Sequence, residues 1–445
     1  MGRRIPQEPV VATIENMTPE GRGVARIDGK TVFVDGALPG ETVSFRYTRC
    51  QRRYDEARTE EVLQASSDRV AAECAHFGIC GGCSLQHMNA GAQLRMKQQT
   101  LRDNLERIGK VSPVEWAEPI TAQPWGYRRK ARLGVKYVPK KGGVLVGFRE
   151  RSSPYLAMIE RCPVLHPGVG ERIMKLRQLM DGLEAKARIP QIEVAVDESD
   201  QIALVFRNLD PLSTQDQQQL TAFAQAEGLQ VYLQPAGPES VTPLWPQIPQ
   251  ELAYGHPEFD VSLKFSPLDF FQVNSAINRA MVPQAMAWLD VQPEHRVLDL
   301  FCGLGNFTLP LARRAQSVLG VEGDAAMVAR AADNARLNGL SNVQFKAADL
   351  TDAGALTHLT SHGFERVLLD PPRLGALATL PAVAASGAER LVYVSCNPAT
   401  LARDAEQLVH THGYVLERAG VMDMFPHTAH VESMALFVKG RAKAR

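Results

Sequence analysis

Arg296-Val297-Leu298-Asp299-Leu300-Phe301-Cys302-Gly303-Leu304-Gly305-Asn306 runs from a short apolar segment straight into a glycine-rich turn. A buried strand, then glycines, then a helix through Arg314 reads as the opening of a nucleotide-binding α/β unit. Glycine permits both the tight turn and the close approach of a ligand there. The next strand, residues 317–321, ends in Glu322, where a carboxylate can bind ribose hydroxyls. An alanine-rich helix to Asn338 follows, then strands at 343–346, 366–369 and 391–394, each with a helix or turn, and a last strand at 433–438. This alternation predicts a doubly wound, Rossmann-like α/β domain from residue 275 onward.

Two cofactors fit the loop. A dinucleotide calls for a third glycine at position 308, where Thr308 stands; S-adenosylmethionine has no pyrophosphate and needs none. Asp349, after the third strand, is placed to meet an adenine amino group. Glycines that only close a turn are the structural alternative, against which Glu322 and Asp349 both weigh. Asp370-Pro371-Pro372-Arg373 ends the fourth strand. Methyltransferases acting on exocyclic amines carry an aromatic ring at the position of Arg373, so amine chemistry is disfavoured.

Cys396 closes the run Leu391-Val392-Tyr393-Val394-Ser395 and precedes Asn397-Pro398. That puts a thiol at the carboxyl end of a strand, in the ligand crevice of an open sheet. A methyltransferase has a use for it. Carbon 5 of uracil is a poor nucleophile, and a thiolate added to carbon 6 returns electron density to it. The scheme needs one cysteine, one carboxylate base and a polar group for the oxyanion. Glu432, just before the last strand, is the candidate base, since a shielded carboxylate holds a proton more strongly; a surface glutamate is the bland alternative. Asp370 can orient the uracil edge. His427 and His430 shape the loop rather than bind a metal.

Upstream, residues 10–63 alternate as short strands punctuated by Gly21, Gly23, Gly29, Gly36 and Gly40, which suggests a small antiparallel barrel of the OB type. A middle segment mixes helical stretches (90–108, 169–186) with a strand at 192–196, and its Pro/Gly-rich part, 235–257, reads as exposed loops. Lys+Arg and Asp+Glu both number 49, so net charge says nothing of nucleic acid. Locally, Arg128, Arg129, Lys130, Arg132, Lys136, Lys140, Lys141, Arg149 and Arg151 stand among Trp125, Tyr127, Tyr137 and Phe148, with Glu150 the single acid. This suits phosphate contacts and base stacking, and equally a solvated β-hairpin. No apolar run approaches the roughly 18 residues of a membrane span. The start, Met1-Gly2-Arg3-Arg4-Ile5-Pro6, lacks a signal-peptide core, and seven cysteines argue against a secreted disulfide framework. A cytoplasmic monomer is expected. Cys74-x5-Cys80-x2-Cys83 with a distant Cys162-Pro163 can hold zinc or an iron–sulfur cluster. Zinc usually pairs two Cys-x2-Cys hooks, so the spacing favours [4Fe-4S]. Cys50 and Cys302 have no assigned chemistry.

Asp370-Pro371-Pro372-Arg373-Leu374-Gly375, the Ser395-Cys396-Asn397-Pro398-Ala399-Thr400 segment, and residues 423–432 ending in Glu432 resemble the signatures of RNA uracil-5-methyltransferases. The resemblance covers nearly the whole chain. It implies Cys396 as nucleophile, Glu432 as base, and a donor site lined by Gln272, Phe301, Asn306, Glu322, Asp349 and Asp370. Gly21-Arg22-Gly23-Val24-Ala25 and Leu38-Pro39-Gly40-Glu41 look like a TRAM domain. The cysteines resemble those of the RlmD (RumA) branch, which implies a [4Fe-4S] cluster on Cys74, Cys80, Cys83 and Cys162. That branch methylates one uridine of 23S ribosomal RNA. Expected domains are then a TRAM barrel at 5–65, a central RNA-binding domain with the cluster at 70–267, and the catalytic domain at 268–445. A transfer-RNA uracil-5-methyltransferase, or a ribosome-assembly factor that binds RNA without turnover, are the competing readings; a nicotinamide oxidoreductase is a distant third.

Overall fold

The computed structural model describes residues 5–360 and 363–440. Residues 1–4, which carry most of the targeting expectation, and 441–445, the end of the expected catalytic domain, lie outside the described residues. The chain divides into two compact units. One comprises Met1–Thr100, Phe148–Ile159 and Phe425–His430; the other comprises Leu101–Gly147, Glu160–Met424 and Val431–Arg445.

The first unit holds a six-stranded sheet in the order Val10–Thr13, Thr42–Cys50, Tyr54–Gln64, Lys30–Asp35, Gly23–Ile27, Asn16–Met17. Period-2 alternation explains its core: Ile14, Ala25, Val32, Val34, Val43, Phe45 and Ala57 pack together, while Arg26, Arg46 and Arg58 are exposed. The sequence reads as antiparallel throughout, yet Lys30–Asp35 and Tyr54–Gln64 pair in parallel. The reason is topological. Tyr54–Gln64 turns back from Thr42–Cys50 and lands between it and Lys30–Asp35.

The second unit carries two large sheets. A six-stranded one runs Thr242–Trp245, Gln230–Gln234, Ile202–Arg207, Gln191–Val196, Lys130–Val138, Gly143–Gly147. The eight-stranded one runs Val343–Ala347, Ser317–Glu322, Arg296–Leu300, Arg366–Leu369, Arg390–Ser395, Glu432–Lys439, Tyr414–Met422, Glu115–Trp116. Its first five strands are parallel. Their near-continuous apolar runs, such as Val367–Leu369 and Leu391–Val394, are fully buried, as strands covered on both faces must be. Strand order reverses between Arg296–Leu300 and Arg366–Leu369, which opens a crevice at their carboxyl ends.

Several expectations need revising. Residues 169–186 do not form one helix but Pro167–Gly170, Ile173–Gly182 and a 3-10 turn at Glu184–Ala187. At Gly170 the backbone closes on Cys162: a Cβ there would stand 2.2 Å from the Cys162 carbonyl oxygen. Residues 235–257 are not simply loops, for they contain the strands Thr242–Trp245 and Leu252–His256. Thr242–Trp245 tolerates Pro243 because it is a sheet edge. The helix expected to reach Arg314 ends at Ala312.

Candidate active site

The turn after Arg296–Leu300 is built from left-handed backbone. Phe301, Gly303 and Gly305 have φ of 65°, 54° and 94°. A bulky residue there is costly, and Phe301 is held by its N–H, which donates to the Val321 carbonyl at 2.9 Å, with Cys302 N–H beside it at 3.1 Å. Glu322 closes the turn: its carboxylate accepts from Gly303 N–H at 3.2 Å, Gly323 N–H at 2.7 Å and Asp324 N–H at 3.2 Å. Those three bonds fix the carboxylate at the rim of the crevice.

Behind the turn sits an acidic group that the sequence reading missed. Asp299 is completely buried; one oxygen accepts from the Thr308 hydroxyl and the other has no partner. Burial above all, then the charges of Asp370 and Glu322, push its pKa up to about 8 against the pull of Thr308. Asp370 is pushed up to about 7, again by burial and then by Glu322. Three carboxylates at one turn make the crevice suited to a cationic ligand. Lying within an apolar run, Asp299 gave no signal of its own.

Cys396 follows the strand Arg390–Ser395, whose Ser395 pairs with Ser433 of the antiparallel Glu432–Lys439. Cys396 comes directly after that pair and Glu432, the first residue of its strand, directly before it, so that the Glu432 charge acts on the thiol. Burial pushes the Cys396 thiol up to about 11, Glu432 and then Asp370 adding to the shift and Arg373 opposing it. At rest Cys396 is therefore a thiol. Alkylation of Cys396 by iodoacetamide, followed by peptide mass spectrometry, should accelerate about tenfold per pH unit from 7 to 10, tracking the thiolate fraction. A rate that levels off near pH 8 would contradict this environment.

The loop after Asp370 is bolted to the helix that follows Cys396, Pro398–Glu406. The Arg373 carbonyl accepts from Asn397 Nδ2 at 3.1 Å and Thr400 Oγ1 at 3.3 Å, and the Leu374 carbonyl accepts from Arg403 at 2.8 Å. Ala376 N–H and the Tyr393 hydroxyl both donate to buried Asp404 at 2.7 Å. Gly375, at φ 78°, is required: a Cβ would lie 2.6 Å from Arg403 Nη2 and from Asp404 Oδ2.

The remaining candidates are distributed around this frame. Gln272 is half-buried beside buried Phe271. The Asn306 amide bonds reciprocally to Asn278. Asp349 is exposed, with Thr351 N–H and hydroxyl on its carboxylate at 2.8 and 2.7 Å, bonds that hold its pKa down. Cys302 is buried behind the turn.

Cys74, Cys80 and Cys83 occupy one segment of the first unit without helix or strand; Cys162 belongs to the second unit. All four are half-buried. Among the described residues no three or more His, Cys, Asp and Glu side chains are grouped as for a metal ion. The segment is nonetheless suited to thiolate ligands, since Gly82 N–H donates to Cys80 Sγ at 3.4 Å and Gly78 takes φ 84°. The basic stretch is a hairpin, Lys130–Val138 with Gly143–Gly147. Part of it is internally committed: Arg132 pairs with Glu193, Arg129 with Asp200, Lys130 donates to the Pro267 carbonyl, and the Lys186 ammonium covers Tyr137 at 5.1 Å. Lys136 and Lys140 are exposed. No helix among the described residues is long and apolar enough to cross a membrane.

A glycine turn at a sheet's switch point, with a thiol and carboxylates gathered at the carboxyl ends of the neighbouring strands, is the framework of a group-transfer enzyme. Residues 201–440 match the family described as tRNA (Uracil-5-)-methyltransferase, and residues 9–59 match the TRAM domain. The chain is 56% identical over 436 residues to the 23S rRNA (uracil(1939)-C(5))-methyltransferase RlmD of Alkalilimnicola ehrlichii, covering 98% of both chains. It is 53% identical to the RlmD of Methylococcus capsulatus, covering 97% of this chain and 98% of that one. The fold is also that of the Pyrococcus abyssi tRNA (uracil-54, C5)-methyltransferase crystallised with S-adenosyl-L-homocysteine, at a TM-score of 0.74 and 22% identity over 96% of this chain and 99% of that one. The chain belongs to the RNA uracil-5-methyltransferase family, in its TRAM-bearing RlmD branch, and is an RNA methyltransferase.

Proposed function

We propose that this protein methylates carbon 5 of one uridine in a single-stranded loop of 23S ribosomal RNA, with S-adenosylmethionine as donor, Cys396 as nucleophile and Glu432 as base. The observation that carries the reading is that Cys396 directly follows the Ser395–Ser433 pair and its thiol feels the charges of both Glu432 and Asp370. The donor supplies an electrophilic methyl group on a sulfonium. Phe301, Glu322 and the glycine turn receive it, with Gln272, Asn306, Asp349 and Asp370 lining the same site. Asp299, with its unpartnered oxygen, suits a cation nearby. Neutralising Asp370 with that positive charge removes one of the repulsions that hold the Cys396 thiol protonated, so the thiol ionises more readily once the donor is in place.

Cys396 Sγ then bonds carbon 6 of the uracil, and the electron pair of the 5,6 double bond moves toward the O4 carbonyl. Carbon 5 takes the methyl, leaving S-adenosylhomocysteine. Glu432 removes the proton from carbon 5, the double bond re-forms, and the carbon–sulfur bond breaks to return the thiolate. A uridine must be unstacked for the thiol to reach carbon 6.

In this reading the TRAM barrel (5–65) and the central domain (70–267) bind RNA, and the domain at 268–445 performs the transfer. The protein works as a cytoplasmic monomer. Cys74, Cys80, Cys83 and Cys162 hold a [4Fe-4S] cluster whose place is structural, since the transfer requires no electron. Protein purified without oxygen should contain about four irons and four sulfides per chain, and Cys80→Ser should lose them; zinc in their place contradicts the cluster.

Transfer of radiolabelled methyl from S-adenosylmethionine to 23S rRNA from cells lacking this protein tests the whole. Label at the uridine that the relatives' names give as 1939 supports it. Label in transfer RNA alone replaces it with the competing reading, and RNA binding without label leaves an assembly factor.

A further inference from the structure

The hairpin Leu252–His256 with Val261–Phe265 belongs to neither large sheet, and the chemistry above gives it no task. It touches the donor turn at one end and the approach to Gln272 at the other. His256 is only 2% exposed, and its Nε2 lies 3.0 Å from Asn306 Oδ1. Asn278, from the helix Ser275–Leu289, grips the same amide twice: its Nδ2 donates to Asn306 Oδ1 at 3.0 Å, and its Oδ1 accepts from Asn306 Nδ2 at 2.9 Å. Asn334 bridges hairpin and turn, its Nδ2 donating to the Lys264 carbonyl at 3.1 Å and the Leu304 carbonyl at 3.3 Å. At the other end Tyr254 stacks on Phe271 with centroids 6.2 Å apart, and Phe265 lies 4.4 Å from the same ring.

Donor and acceptor arithmetic assigns the roles. Asn306 Oδ1 is an amide oxygen and only accepts, from Asn278 Nδ2 and from His256 alike, so His256 Nε2 carries the hydrogen that meets it. His256 Nδ1 is then a bare lone pair, and it is buried without a partner. Burial holds the ring's pKa below the ordinary imidazole value, with Asn306 and Glu198 opposing and Arg279 assisting. A neutral ring whose one hydrogen bond goes to Asn306 has a single polar task.

We infer that His256 is a positioning residue of the donor site: with Asn278 it locks the Asn306 amide, and through it the glycine turn, in the shape that receives the methyl donor. This rests on the methyltransferase reading above. Affinity for donor depends on the contact; affinity for RNA and the rate at saturation do not.

The test compares two uncharged replacements. Gln extends an amide nitrogen about as far as Nε2 and can donate to Asn306, whereas Asn stops near the position of Nδ1. His256→Gln should stay within about threefold of wild type. His256→Asn should raise the KM for S-adenosylmethionine, and the Kd for S-adenosylhomocysteine by calorimetry, about tenfold, with kcat and RNA affinity unchanged. Asn278→Ala should reproduce the defect, and the double variant should fall short of the product of the two. An unchanged donor KM in His256→Asn overturns the inference, as do equal losses in kcat and RNA binding. If His256→Asn does not fold, Asn278→Ala decides in the same way: undiminished S-adenosylhomocysteine affinity overturns it. Wild-type protein that transfers no methyl to any RNA sinks the functional reading instead, an outcome distinct from active wild type with an indifferent His256→Asn.

Discussion

Cys396→Ala should reduce methyl transfer by at least about 10^4-fold and leave no covalent protein–RNA species, because the thiol that would bond carbon 6 is gone. Without that bond, carbon 5 of uracil stays electron-poor whatever the donor's geometry. The fold should survive. The side chain is half-exposed at a strand end, and the helix that follows is held by Asn397, Thr400 and Arg403 rather than by the thiol. Donor binding should persist as well, since the turn residues and Glu322 lie on other strands. Filter binding of labelled RNA and calorimetry with S-adenosylhomocysteine would then be normal while incorporation is lost. Cys396→Ser sharpens the point: an alkoxide is far harder to generate than a thiolate in a site that already holds the thiol up to about 11. Serine should be almost as inert as alanine. Undiminished turnover by either variant would falsify covalent catalysis here.

How far the sequence discloses this site depends on the range over which each feature acts. The glycine turn and Glu322 are local, a few residues at a strand end, and they are legible. So is Cys396, because an apolar run points at it. Its pairing with Glu432 is a different matter: no spacing encodes it, only the antiparallel register that sets Ser395 against Ser433. Asp299 is silent in sequence because an acid inside an apolar strand looks like an interruption, and its meaning appears only when Asp370 and Glu322 arrive from other strands. The hairpin carrying His256 hides in a stretch whose prolines and glycines read as loop. The strand Tyr414–Met422 hides for another reason, an irregular register at Leu416 and Arg418 that breaks the alternation. The basic stretch shows the converse error. Tyr137 reads as a stacking platform until Lys186 is found over it.

Glu432→Gln should separate the two halves of the reaction. The replacement keeps the size of the side chain but cannot accept the proton on carbon 5. It also removes the largest of the charges that raise the Cys396 thiol, so the thiolate becomes easier to form. Addition and methyl transfer should therefore proceed, and iodoacetamide should alkylate the variant's Cys396 faster than the wild type's at pH 7. Elimination loses its base and should slow by about 10^2- to 10^4-fold. The expected product is a stable adduct carrying label from both the donor methyl and the RNA, retarded on a denaturing gel and released by protease. Cys396→Ala combined with Glu432→Gln should give no such band, which ties the adduct to this thiol. If Glu432→Gln instead releases methylated RNA at the wild-type rate, another group takes the proton. Asp370, whose carboxyl is pushed up to about 7 beside the same thiol, is the next to substitute.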